Sequence, residues 1–248
     1  FKKLLALRTM EGEAAETEED SEPERQSWVD GLLRYRFRRR TYVLADPRGV
    51  LVHGTGTSVW SAGEVLADLV AANPTMCGPG PCLELGAGVG VVGITLAFFG
   101  VRPIVLTDLD RQLPLLRRNA SENFQDPGVL EVAALDWRIP EERESLAPWK
   151  GRWSAVLASD VGYDPDLFEP LRQTLLAQCG ETTPIFLALA DRDEEDEPGV
   201  DELVEAFSGS FRCEEIHTRR LYPHQSVTRV LRMTRCSVDL PTMGEASG

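Results

Sequence analysis

A strand, a glycine turn and an apolar helix follow one another between residues 83 and 94, and this segment constrains the fold most. It reads Leu83-Glu84-Leu85-Gly86-Ala87-Gly88 and continues with the mostly apolar residues 89–94. Glycine is needed in such a turn because a ligand approaches the main chain where a Cβ would stand. The segment therefore predicts the nucleotide-binding end of a Rossmann-like sheet.

Strands and helices alternate along most of the chain. The predicted strands are 82–85, 104–107, 130–135, 155–158, 185–190, 212–217 and 227–233. The predicted helices are one that begins after Trp60 and those at 89–99, 111–123, 166–178 and 199–207. This rhythm predicts an α/β fold with a seven-stranded, mostly parallel sheet and helices on both faces. The last two strands are joined without a helix, which predicts an antiparallel edge hairpin.

The N-terminal part of the chain precedes this alternation. Two apolar stretches flank a Pro-Gly turn at 46–49, which predicts a β-hairpin over about 32–53. Upstream, residues 11–25 hold eight acidic residues against one basic residue, a composition typical of disorder.

The predicted organisation is therefore a disordered acidic tail at 1–27, a single domain at 28–236 and a frayed end at 237–248. We interpret Met10 as a candidate for the biological start, because Phe1 opens a short stretch that is too brief for a signal peptide.

Composition excludes several classes of partner. The chain carries 26 basic and 40 acidic residues, a net charge of −14, which opposes binding to nucleic acid phosphates. No apolar run approaches the roughly 20 residues of a membrane span. Five scattered cysteines without a Cys-x-x-Cys pair predict reduced thiols, a cytosolic or nuclear location and no zinc site.

The register of the glycines separates two nucleotide classes. A literal G-x-G-x-x-G match begins at Gly88, which would suit NAD. In that fingerprint, however, the first glycine closes the strand, which here is Gly86, and the third would fall where Val91 stands. Glu84 would also repel a pyrophosphate, whereas a carboxylate suits a cation. S-adenosylmethionine, a sulfonium without phosphate, fits this segment better.

Acidic and aromatic residues follow the next two strands. Asp108 stands 22 residues after Gly86, where its carboxylate would accept hydrogen bonds from ribose hydroxyls. Asp136 and Trp137 end the third strand, where they would meet the adenine amine and the adenine face. Taken alone, Asp108 could instead cap the next helix and Trp137 could be a core residue.

The fourth strand leads into Ser159-Asp160-Val161-Gly162-Tyr163-Asp164-Pro165, which contains the pattern Asp-x-x-Tyr. With this segment, the chain resembles the seven-β-strand protein-lysine methyltransferases of methyltransferase family 16. The resemblance runs from about Tyr35 to Met233. Besides this segment and the glycine turn, it rests on Val59-Trp60, Thr107-Asp108-Leu109 and Leu135-Asp136-Trp137.

The resemblance implies a methyl transfer from S-adenosylmethionine to a lysine amine of a protein substrate. We also expect a monomer. It implies Asp160 and Tyr163 at the methyl-acceptor entrance. The predicted cofactor-binding residues are Trp60, Glu84, Gly86, Ala87, Gly88, Asp108, Leu109, Asp136, Trp137 and Ser159. Relatives often carry a larger apolar residue at the position of Gly162, so we expect this glycine to widen the acceptor channel.

Two alternatives stay open at the level of sequence. One is a methyltransferase that acts on arginine, histidine or a small molecule. The other is a non-catalytic module that keeps the fold and binds S-adenosylmethionine.

Overall fold

The computed structural model describes residues 26–37, 41–146, 148–191, 199–220 and 227–236, which form two β-sheets with flanking helices. The first sheet is antiparallel and contains β1 (Gln26–Val29), β2 (Leu32–Phe37) and β3 (Thr41–Ala45) in that order. Strand β1 thus begins inside the segment assigned to the tail. The predictions for 1–25 and for 237–248 lie outside the described residues.

The second sheet has seven strands and confirms the predicted α/β fold. Its strands are β4 (Cys82–Leu85), β5 (Ile104–Asp108), β6 (Leu130–Ala134), β7 (Ala155–Ser159), β8 (Ile185–Asp191), β9 (Phe211–Arg220) and β10 (Val227–Arg235). Their order is β6-β5-β4-β7-β8-β10-β9. The first five strands are parallel, whereas β10 runs antiparallel to both β8 and β9. The C-terminal antiparallel hairpin is therefore confirmed.

Six helices are described: α1 (Ser61–Ala72), α2 (Val91–Ala97), α3 (Leu113–Asn123), α4 (Pro140–Ser145), α5 (Phe168–Gln178) and α6 (Val200–Phe207). Helices α1, α2 and α3 share one apolar core with the N-terminal sheet, and α5 and α6 share a second core on the other face. Because both faces are covered, the central strands are mostly apolar rather than alternating. Burial is complete along β4.

Two predictions of secondary structure are wrong. Residues 50–52 do not form the second strand of a hairpin, because their N–H groups donate to the buried carboxylate of Asp46 instead of to a neighbouring strand. Helix α4 was not predicted, since Pro140–Ser145 has no apolar periodicity and buries none of its residues.

The described residues contain no helix that is long and apolar enough to cross a membrane. The same part of the chain contains no group of histidine, cysteine or acidic residues that could hold a metal ion. All five cysteines, which are within the described ranges, are free thiols.

Candidate functional site

A cavity of about 370 Å³ opens at the carboxyl ends of the parallel strands. Its walls come from the loops after β4, β5, β6 and β7 and from the segment before α1. Eleven of the twelve predicted site residues line it: Trp60, Gly86, Ala87, Gly88, Asp108, Leu109, Asp136, Trp137, Ser159, Asp160 and Tyr163. They converge because parallel strands bring their carboxyl ends to one edge of the sheet.

The glycine turn has no room for side chains at Gly86 and Gly88. Gly86 has φ +60°, and a Cβ there would stand 3.0 Å from Val161 Cγ1 and 3.3 Å from Trp137 Cζ2. A Cβ on Gly88 would stand 3.2 Å from the carbonyl oxygen of Gly56. The glycines therefore let the turn pack closely against neighbouring loops while it lines the cavity.

Asp108 ends β5 with its carboxylate held by two backbone donors. The Gly88 N–H donates to Oδ2 at 2.7 Å and the Leu109 N–H donates to Oδ1 at 2.7 Å. Burial raises the pKa of this carboxyl, and the two N–H donors partly offset that effect. The side-chain bonds go to these two residues rather than to α3, so Asp108 is not the cap of that helix. Each oxygen keeps a further lone pair for a ligand.

Glu84 lies behind the cavity wall and not on it. The residue is 1% exposed, and its Oε2 accepts a hydrogen bond of 2.8 Å from the Gly93 N–H near the start of α2. Burial raises the pKa of this carboxyl to about 8, against the lowering effect of the Gly93 N–H, and the nearby Asp108 raises it further. The expectation that Glu84 contacts a cationic ligand directly does not fit this position.

This burial predicts a pH dependence of stability. Between its ordinary pKa of 4.5 and about 8, Glu84 binds a proton in the folded state more than in the unfolded state. The free energy of unfolding should therefore fall as pH rises through this window, by at most about 1.4 kcal/mol per pH unit from this group. Glu84→Gln should flatten the decline, measured by urea denaturation at several pH values between 5 and 8.

The exposed Glu131 on β6 provides the matched control. Glu131→Gln should leave the slope of wild type unchanged. An equal slope in Glu84→Gln and wild type would contradict the assignment.

The adenine end predicted from the sequence contains an ion pair. Arg138 donates to Asp136 through Nε at 2.9 Å and through a terminal nitrogen at 2.6 Å. The hydrogen bonds from Arg138 are the main reason why the pKa of Asp136 is lowered. Trp137 lines the cavity and also packs on the second apolar core. Its contact with adenine stays a prediction. Asp136 lines the cavity, and Arg138 already uses part of the hydrogen-bond acceptor capacity of its carboxylate.

Two aromatic residues with exposed side chains line the cavity. Trp60 is 42% exposed and Tyr163 is 40% exposed. Thr55 connects them, because its carbonyl accepts the Trp60 Nε1–H at 2.8 Å and its Oγ1 lies 3.4 Å from the Tyr163 hydroxyl. Asp160 has φ +54°, a left-handed conformation that Asp tolerates better than most residues. Such a conformation is found at functional sites, where surrounding structure maintains it.

The segment 54–58, which we call the lip, was not predicted from the sequence. Thr55, Gly56 and Ser58 line the cavity. Asp46 anchors this segment, because its N–H donates to the Thr57 carbonyl at 2.8 Å. The sequence signal that could have located this segment is its run of small residues, which stands shortly before Trp60 in the chain.

The remaining cavity-lining residues outside the predicted set are Val59, Gly63, Val89, Val91, Arg111, Gln112, Leu135, Arg138, Val161, Asp164 and Leu167. Several stand within a few residues of predicted ones in the sequence. Arg111 and Gln112 gave no motif signal, because their place on the wall depends on the course of the chain after β5.

The expectation for Gly162 is wrong. This glycine does not line the cavity. A Cβ there would stand 2.9 Å from Leu203 Cδ1 and 3.0 Å from Leu189 Cδ2, which belong to α6 and β8. The glycine allows the loop after β7 to pack on the core, and it does not widen an acceptor channel.

Comparison with known proteins gives a family. A sequence model of the lysine methyltransferase family matches residues 49–205. The chain is 31% identical over 166 residues to protein N-lysine methyltransferase METTL21A of Danio rerio, covering 66% of this chain and 72% of that protein. It is 32% identical over 141 residues to EEF1A lysine methyltransferase 3 of Xenopus tropicalis, covering 57% of this chain and 60% of that protein. The match thus spans less than two thirds of the frog protein.

Solved structures agree on the fold. A putative transferase of Pyrococcus horikoshii covers 84% of this chain and 74% of its own, with a TM-score of 0.57 and 14% identity. TYW2 of the same organism, solved in complex with MeSAdo, also has a TM-score of 0.57 and 14% identity and covers 84% and 73%. At this identity the likeness concerns the fold alone. Since the family match covers more than half of its residues, this chain belongs to the lysine methyltransferase family.

Proposed function

We propose that this protein is an S-adenosylmethionine-dependent protein-lysine N-methyltransferase. The observation that carries the proposal is the convergence of eleven predicted site residues on one cavity at the carboxyl ends of the parallel strands. Family membership supports the reaction class. The names of the relatives support a lysine side chain as acceptor.

The residues present fit the cofactor. Gly86 and Gly88, which line the cavity without side chains, would lie along S-adenosylmethionine, and a remaining lone pair of Asp108 would accept a ribose hydroxyl. Trp137 would pack on the adenine. When bound, the cofactor supplies an electrophilic methyl group on a positively charged sulfur. A pyrophosphate fits less well, because the Asp108 carboxylate would repel it. Glu84 adds no charge to this effect at neutral pH, since burial raises its pKa to about 8.

Asp160 and Tyr163 would receive the methyl acceptor. A free lysine amine is protonated at pH 7, about three pH units below its pKa, and must be neutral to act as a nucleophile. Partial burial between the walls near Trp60 and Tyr163 would lower that pKa by desolvation. The Asp160 carboxylate would accept hydrogen bonds from the amine and orient its lone pair. The exposed Tyr163 ring would form one wall of the entrance.

EEF1A, which forms part of the name of the Xenopus tropicalis relative, is the first protein substrate to test. A cytosolic or nuclear location, the absence of nucleic-acid binding and a monomeric state stay predictions from composition and resemblance.

The test combines binding and transfer. Calorimetry should give micromolar-range affinity for S-adenosylmethionine and for its demethylated product, and none for NAD at the same concentrations. The protein should then transfer labelled methyl groups to EEF1A or to another protein of a cell extract, and mass spectrometry should locate them on lysine. Comparable NAD binding would reject the cofactor. Label on arginine, histidine or a small molecule would favour the alternative methyltransferase, and cofactor binding without any transfer would favour the non-catalytic module.

A further inference from the structure

Gln112 is a buried polar residue on the cavity wall with an unused acceptor. The residue is 3% exposed and ends the short 3-10 turn 110–112 that leads into α3. Its Nε2–H donates to the His53 carbonyl at 3.4 Å, a long and weak hydrogen bond. Within the described part of the chain, no donor reaches its Oε1. Most buried acceptors have a partner, so this oxygen requires an explanation.

Two intervening residues, Gly56 and Gly88, connect Gln112 Oε1 to Asp108. A Cβ on Gly56 would stand 3.4 Å from Gln112 Oε1, and a Cβ on Gly88 would stand 3.2 Å from the Gly56 carbonyl oxygen. The Gly88 N–H in turn donates to Asp108. Gln112, Gly56, Gly88 and Asp108 are therefore successive neighbours at one corner of the cavity.

Asp108 has a limited capacity to accept further hydrogen bonds at this corner. Each of its carboxylate oxygens already accepts one backbone N–H, from Gly88 or from Leu109. A ribose offers two hydroxyl donors, so a second acceptor nearby has a use. The terminal torsion of a glutamine side chain is broad, which lets the Gln112 carboxamide turn toward the cavity when its weak bond to His53 is given up.

We propose that the side-chain carbonyl of Gln112 accepts a hydrogen bond from a ribose hydroxyl of the bound cofactor, beside Asp108. The proposal rests on the proposed function, because it requires a nucleoside cofactor in this cavity. Gln112 is thus a cofactor-binding residue that neither the sequence motifs nor the family resemblance indicated.

The first test replaces the acceptor with an apolar group of similar length. Gln112→Met should raise the dissociation constants of S-adenosylmethionine and S-adenosylhomocysteine about tenfold in calorimetry. The melting temperature of the unliganded variant should equal or exceed that of wild type, because a buried acceptor without a donor has been removed. Thr228→Val is the matched control, since Thr228 Oγ1 is also buried without a partner in the described chain but does not line the cavity. This control should not change affinity.

A second variant separates direct binding from a role in holding the lip. Gln112→Glu keeps oxygen acceptors but loses the donor to His53. It should retain affinity within about threefold of wild type, whereas a residue that acts only through His53 would lose as much affinity as Gln112→Met. Equal losses in both variants would overturn the proposal.

Methylthioadenosine, which lacks the amino-acid part of the cofactor, tests the assignment to ribose. Its affinity should fall in Gln112→Met by the same factor as that of S-adenosylhomocysteine. A loss confined to the ligands that carry the ammonium group would overturn the ribose assignment. Unchanged affinity in Gln112→Met would overturn the inference alone, whereas a wild-type protein that binds no S-adenosylmethionine would instead reject the proposed function.

Discussion

Asp160→Asn should lower the rate of methyl transfer about 10²–10⁴-fold while S-adenosylmethionine affinity stays within about threefold of wild type. The reason is that Asp160 is assigned to the methyl acceptor and not to the cofactor, and that Asn lacks the charge that would orient the amine. Asn is preferred over Ala because φ at this position is +54°, where Asn is tolerated and Ala is strained. Initial rates with labelled cofactor and calorimetry provide the two measurements.

Asp160→Ala should abolish transfer as well, with an additional loss of stability from the backbone conformation. Asp166 provides the control, because it is an exposed acidic residue of the same loop that does not line the cavity. Asp166→Ala should leave the rate unchanged. Full activity in Asp160→Asn and in Asp160→Ala would show that the Asp-x-x-Tyr assignment is wrong. Tyr163→Phe, which removes only the hydroxyl near Thr55, tests the second residue of the motif.

The second large effect is expected at Asp108. Asp108→Ala should raise the dissociation constant for S-adenosylmethionine at least about tenfold, because a charge-assisted hydrogen bond from a ribose hydroxyl is worth roughly 1.5–3 kcal/mol. The structure adds a consequence for stability. The N–H groups of Gly88 and Leu109 lose their acceptor, so the unliganded protein should also unfold more readily, by roughly 1–3 kcal/mol.

Asp110 is the matched control for this change, since it is exposed, follows Asp108 by two residues and does not line the cavity. Asp110→Ala should change neither the affinity nor the melting temperature. If Asp108→Ala loses stability but keeps its affinity, then the carboxylate serves the glycine turn alone and the ribose assignment fails.

Local patterns were sufficient for the main sheet. Apolar stretches alternating with helical periodicity predict β4 to β10 to within a few residues of their ends, because strand and helix periods are properties of neighbouring residues. The glycine turn and the acids at strand ends predict the site for a related reason. Once five strands are parallel, their carboxyl ends meet at one edge whatever the details of packing.

Specific side-chain contacts, which strand and helix periodicity does not record, decided the rest. Residues 50–52 have the composition of a strand, but the buried Asp46 carboxylate takes their N–H groups. Glu84 sits in a motif whose charge suggested a ligand contact, yet it faces Gly93 within the core. Gly162 belongs to the predicted acceptor segment, but the close packing of Leu189 and Leu203 explains why a glycine stands there.

Residue patterns therefore predict the α/β fold, the edge of the sheet that holds the site and eleven of the residues in its wall. The three-dimensional structure is needed to show which way Glu84 faces, that the lip lines the cavity and that Gln112 lies on the cavity wall. The physical reason is the distance along the chain. The Gln112 side chain contacts the His53 carbonyl across 59 residues, and no local periodicity records a contact of that range.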